Sequence, residues 1–112
     1  METIIRKDQP VVTLVNVFTV EPSRQQALLH LLIKATEQVM NKLPGFISAN
    51  LHASLDGKNV VNYAQWATVA DFQNMLTHPA ARGHMEEAYR LASRVEPNLY
   101  QVSHVDHGMR KT

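Results

Sequence analysis

Between Phe46 and Trp66 the chain alternates apolar and polar residues on either side of Asp56-Gly57. That pattern commits the middle of the sequence to a β-hairpin, because period-two alternation buries one face of a strand and Asp-Gly is a favoured reversal. Ile47, Ala49, Leu51, Ala53 and Leu55 are predicted on one face, with Ser48, Asn50, His52 and Ser54 on the other. The returning strand, Asn59 to Ala67, carries Asn62 and Trp66 at the parity of Val60 and Ala64. An amide and an indole therefore share a face that is otherwise apolar. Each needs a partner there, since an unpaired buried polar group costs roughly 1–3 kcal/mol.

The rest of the chain fits around this hairpin. Met1 to Pro10 reads as a flexible leader, residues 11–107 as one domain and residues 108–112 as a tail. Val11 to Val20 is a β-branched run, the mark of a strand buried on both faces. Pro22 suits the first helical position, and Ala27, Leu28, Leu31, Leu32, Ala35, Val39 and Leu43 recur at helical spacing up to the stop at Pro44-Gly45. Thr68 and Asp71 open a second helix with Val69, Phe72 and Leu76 predicted inward, and His78-Pro79 interrupts it. Met85, Ala88, Leu91, Ala92 and Val95 continue in helical register to Glu96-Pro97, which leaves Leu99 to Val105 as the last strand. The order is β-α-β-β-α-β, an α+β ferredoxin-like split arrangement with an antiparallel sheet. Its helices cover one face only, and apolar residues occur on both faces of the first strand. A second copy is the simplest cover for the other face, so a homodimer is expected.

Composition removes several classes of function. The 112 residues suffice for one domain. A net charge of +1 without a Lys/Arg cluster argues against nucleic acid. No cysteine is present, so disulfide and thiolate chemistry are out. The six histidines lack metal-ligand spacing: His104 and His107 fall on opposite faces of a strand, and His78 and His84 do not share a helix face. There is no glycine-rich phosphate loop, no dinucleotide fingerprint and no Ser/His/Asp context. No apolar run approaches the roughly 20 residues of a membrane span, and a cytoplasmic protein is expected.

Asn16 interrupts Val12, Leu14, Phe18 and Val20, the apolar residues of its own parity. First and third strands are neighbours in a ferredoxin-like sheet, so Asn16 and Asn62 can meet beneath the helices. With Trp66 they would form an apolar pocket with a few fixed polar groups, the usual form of a small-molecule site. The other candidate substrate-binding residues are Leu14, Phe18, Phe72, Met75 and His84, the last because it opens the helix over the pocket. In the plain structural alternative, Trp66 fills core and Asn62 bonds across the sheet.

Pro44-Gly45-Phe46-x-Ser48-Ala49, His52-Ala53-Ser54-x-Asp56-Gly57 and Val60-Val61-Asn62-Tyr63-Ala64-Gln65-Trp66 resemble the antibiotic biosynthesis monooxygenase (ABM) family. The likeness is dense over residues 44–66 and topological elsewhere, and it is strongest to small monooxygenases of aromatic polyketide pathways. It implies a dimeric α+β barrel and a monooxygenase that needs no cofactor, oxidising an anthrone, phenol or hydroquinone with O2 to a quinone. Asn62 and Trp66 take catalytic roles by that likeness, matched position for position, and Asn16 by a looser correspondence. Phe72 departs from it, standing where some anthrone oxygenases carry a tyrosine. Two other readings stay open from sequence: a haem-degrading monooxygenase of the same fold, with Asn16 and His84 near its expected positions but Met75 where its tryptophan should be, and a non-catalytic ligand-binding dimer.

Overall fold

A computed structural model describes residues 2–109, so Met1 and residues 110–112 of the expected tail lie outside the described residues. The elements are β1 (Val12–Val20), α1 (Gln25–Gln38), β2 (Phe46–Ala53), β3 (Asn59–Trp66), α2 (Val69–Thr77), α3 (Pro79–Leu91) and β4 (Ala92–Tyr100). Single 3-10 turns, Pro22–Arg24 and Met40–Lys42, flank α1. The strands form one antiparallel sheet in the order β2-β3-β1-β4. This is the ferredoxin-like α+β order, with its second helix in two pieces.

The hairpin is built as its sequence demands. Gly57 sits at φ +81°, a conformation that glycine adopts without steric cost. The Lys58 N–H and the Ser54 hydroxyl both donate to Asp56, and together they hold its carboxyl below the usual carboxylate range. A carboxyl whose pKa is lowered by folding stabilises above its unfolded value and loses that contribution as pH falls through the folded one. Acidification below the ordinary Asp range should therefore loosen this turn, seen as faster exchange of the Lys58 amide after correction for its intrinsic rate. From α1, the buried Gln25 amide donates to the carbonyls of Ser54 and Asn59, both at 3.0 Å, and clamps the turn to the helix layer.

Gly45, at φ +80°, closes the other end of the hairpin against α2. A Cβ there would collide with the Asp71 carboxyl, which accepts a hydrogen bond from Thr68 while the Asp71 N–H caps onto Thr68 Oγ1 at 3.0 Å. Left-handed strain of about 1–2 kcal/mol and a lost cap of about 1 kcal/mol would act together. Gly45→Ala should accordingly lower the urea midpoint by the equivalent of about 2–3 kcal/mol.

Four details differ from the sequence reading. Helix α1 ends at Gln38 instead of reaching Leu43. Leu43 precedes Pro44 and is held extended at ψ 148°, so the approach to β2 tightens into a 3-10 turn. Strand β2 carries a bulge: Phe46 pairs with Trp66 and Ser48 with Gln65, leaving Ile47 as the extra residue. Ile47 is thereby exposed and Phe46 takes the inward place, while Leu55, beyond the strand, is fully exposed. On α2 the buried side chains are Phe72 and Met75; Val69 points to solvent and Leu76 is only partly covered. Finally, the last strand is Ala92–Tyr100, not Leu99 to Val105. It follows α3 with no loop between, and Pro97 is accommodated because β4 is an edge strand.

The expected leader is tied to the helix-free face of the sheet at two points. The Thr3 hydroxyl donates to Asn50 at 2.7 Å, and the buried Gln65 amide donates to the Ile4 carbonyl at 2.7 Å. No helix of the described residues is long and apolar enough to cross a membrane.

Candidate functional site

Asn16 of β1 pairs directly with Asn62 of β3. Leu14 and Ala64 flank this polar pair on one side, Phe18 and Val60 on the other. Those flanking residues belong to two separate apolar clusters: Leu14, Ala64, Trp66, Phe72, Met75 and Ala81, and then Phe18, Val20, Leu28, Val60 and Ala88. Two carboxamides thus interrupt what would otherwise be one continuous core. Over them lies a cavity of about 440 Å³, within the usual range for small-molecule sites.

Leu14, Asn16, Phe18, Asn62, Trp66, Phe72 and Met75 all line this cavity. The sheet supplies the floor, α1 contributes Leu32 and Thr36, and α2 and α3 contribute Leu76, Met85 and Tyr89. Tyr89 is half-exposed and Leu76 partly so, which puts them at the rim. Among the described residues no charged side chain lines the cavity. Trp66, 2% exposed, meets the Phe46 ring edge to face at 5.5 Å and the Phe72 ring at 6.4 Å, forming one aromatic wall.

The amides distinguish this site from ordinary core. Elsewhere in the fold, buried Gln25 and Gln65 are satisfied by carbonyl and hydroxyl partners, and Asn50 donates to the Tyr63 carbonyl at 3.0 Å. Asn16 Oδ1 and Asn62 Oδ1 are buried and have no partner among the described residues. Asn62 therefore does not bond across the sheet through that oxygen. A carboxamide in this state can accept from a ligand hydroxyl through Oδ1 and donate to a ligand oxyanion through Nδ2.

His84 stands apart from the other candidates. It lines a neighbouring hollow of about 40 Å³, shared with Asn16 and Phe18, and its Nδ1 is likewise buried without a partner among the described residues. Residues missed from the sequence include Phe46, Met40, Met85, Tyr89, Pro97, Asn98 and Leu99. The bulge hid Phe46, and the misplaced last strand hid Pro97 and Asn98; Met85 had a helical-spacing signal but nothing to assign it to a cavity. Among the described residues no cluster of three His, Cys, Asp or Glu side chains could hold a metal ion.

Sheet, helix layer and an aromatic-walled cavity with two carboxamides on its floor have the form of a small-molecule site. The sequence profile of the antibiotic biosynthesis monooxygenase family matches residues 11–87. The tetracenomycin F1 monooxygenase of Streptomyces glaucescens is 45% identical over 92 residues, covering 82% of this chain and 81% of that protein. Among solved structures, a monooxygenase from the gene ActVA-Orf6 of Streptomyces coelicolor, in complex with nanaomycin D, is 26% identical with a TM-score of 0.73, over 90% of this chain and 92% of its own. The fold is shared as well with an asparagine-to-alanine mutant of SnoaB from Streptomyces nogalater, at 23% identity and a TM-score of 0.73, over 87% and 97% of the two chains. The chain belongs to the antibiotic biosynthesis monooxygenase family. It is a monooxygenase.

Proposed function

We propose that this monooxygenase oxidises an electron-rich fused-ring substrate, an anthrone, phenol or hydroquinone, with O2 to the quinone and without a bound cofactor. The observation that carries this reading is the pair of facing carboxamides, Asn16 and Asn62, set into the floor of a cavity walled by aromatic rings and lined by no charged side chain of the described residues. The relatives support the substrate class: one is named for tetracenomycin F1, and another holds nanaomycin D.

The substrate loses a proton and becomes an anion, and that anion can give one electron to O2. Recombination of the radical pair forms a hydroperoxide, and loss of water leaves the quinone. One anthrone and one O2 thus yield one anthraquinone and one water. The protein's part is to hold the ring, keep water out and stabilise the anion. Asn62 and Asn16 donate through Nδ2 to the substrate oxygens, and the Trp66 N–H holds the developing oxyanion or peroxide. Leu14, Phe18, Phe72 and Met75 pack the ring faces. Phe72 has no hydroxyl and contributes area only.

An oxygen electrode decides the matter. Chelator-treated protein should consume O2 in a one-to-one ratio with quinone formed from an anthrone or hydroquinone. Tight binding of the quinone with no oxygen uptake from any of these substrates overturns the assignment in favour of a binding protein. Two-fold pairing through the helix-free face is part of the same reading. Val15, Val17, Val61 and Tyr63 form an apolar patch there that is only half-buried. Light scattering should give twice the 12.6 kDa chain mass.

A further inference from the structure

Oxidation by this route begins with the loss of a substrate proton, yet among the described residues no carboxylate, imidazole or amine lines the cavity. A base lies next door. Asn16 belongs to both the cavity and the adjoining hollow of about 40 Å³, and His84 lines the hollow from α3. The remaining walls of the hollow are apolar apart from the Tyr89 phenol, among them Phe18, Leu32, Ala88 and Val95. Two of its polar atoms, Asn16 Oδ1 and His84 Nδ1, are buried and unpartnered among the described residues.

We propose that a single water occupies this hollow, bridging Asn16 Oδ1 and His84 Nδ1, and relays the substrate's proton to His84. The inference rests on the oxidation reading above. A water's share of liquid volume is about 30 Å³, and a buried water needs at least two polar partners. The hollow has room for a water and offers it two such partners. Two atoms that are costly to bury bare are satisfied at once by such a water.

The proton balance is closed. With its hydrogen on Nε2, the neutral imidazole presents the Nδ1 lone pair to the water. As the substrate C–H or O–H bond breaks, its proton passes to the water and one of the water's own protons passes to Nδ1. The bonding pair stays on the substrate, whose anion then reduces O2. The imidazolium returns the proton by the same path when the hydroperoxide anion forms. His84 as a whole is only half-buried, and exchange of a proton with solvent between turnovers would reset the relay.

The first test needs no turnover. A crystal structure that resolves waters should show one within hydrogen-bond distance of both atoms, and a hollow that is empty or closed overturns the relay. In kinetics, His84→Gln should lower kcat by about 10²-fold, the lower end for general-base assistance, with KM within about twofold. His84→Ala should recover activity with added imidazole. A His84→Gln enzyme with wild-type kcat, or one that only raises KM, overturns the relay while wild-type oxygen uptake keeps the oxidation reading intact. A wild-type chain that consumes no O2 with any anthrone or hydroquinone removes both.

Discussion

Asn62→Ala should lower kcat by about 10²–10³, the usual loss when one preorganised donor to a developing oxyanion is removed. The same variant should unfold at an unchanged or higher urea concentration. Asn62 Oδ1 is buried without a partner among the described residues, and such an atom destabilises the unliganded fold. Taking it away relieves that cost and leaves only a small extra void beside a cavity that already exists. Loss of activity with stability kept is the signature of a group retained for its ligand. A variant whose kcat and urea midpoint fall together would instead return Asn62 to a purely architectural role.

Trp66→Ala should have the largest effect on folding, a loss of about 3–5 kcal/mol. The indole is one of the largest fully buried side chains, and it joins the Phe46 and Phe72 rings into one wall. Against a total stability of about 5–15 kcal/mol for a domain of this kind, that loss brings the chain close to unfolding at 37 °C. Trp66→Phe separates the two roles of the residue. It keeps an aromatic ring on the wall, so the urea midpoint should fall far less, while the lost N–H should still lower kcat by about 10²-fold. A Phe variant with wild-type turnover would show that the indole acts by shape alone.

The facing of Asn16 and Asn62 was legible from parity and strand order, because both amides interrupt apolar runs of fixed period and β1 must neighbour β3 in this topology. Two bulges account for most of what was not legible. At Ile47 the extra residue puts Phe46 and Ala49, three apart, on the cavity side together. At Thr19/Val20 the register shift lets Ala92 and Val95, again three apart, pack on the same cluster. A spacing of three breaks strand alternation and imitates a helix. That is why Ala92 and Val95 read as the end of α3, with no glycine or proline at Leu91 to mark the change. The cavity's roof was legible only in part, since Met40, Met85 and Tyr89 carry no sequence signal that separates a ligand wall from ordinary packing.

The absence of formal charge from the cavity wall, among the described residues, has a consequence for how the enzyme meets its ligand. Coulombic contacts weaken as ionic strength rises, whereas ring burial and short neutral hydrogen bonds do not. Affinity for an uncharged quinol should thus not fall between dilute buffer and brine. On the proposed reading, a substrate with an ionised substituent would keep that edge hydrated at the Tyr89 mouth, with its opposite edge, and the carbon to be oxygenated, toward the two amides.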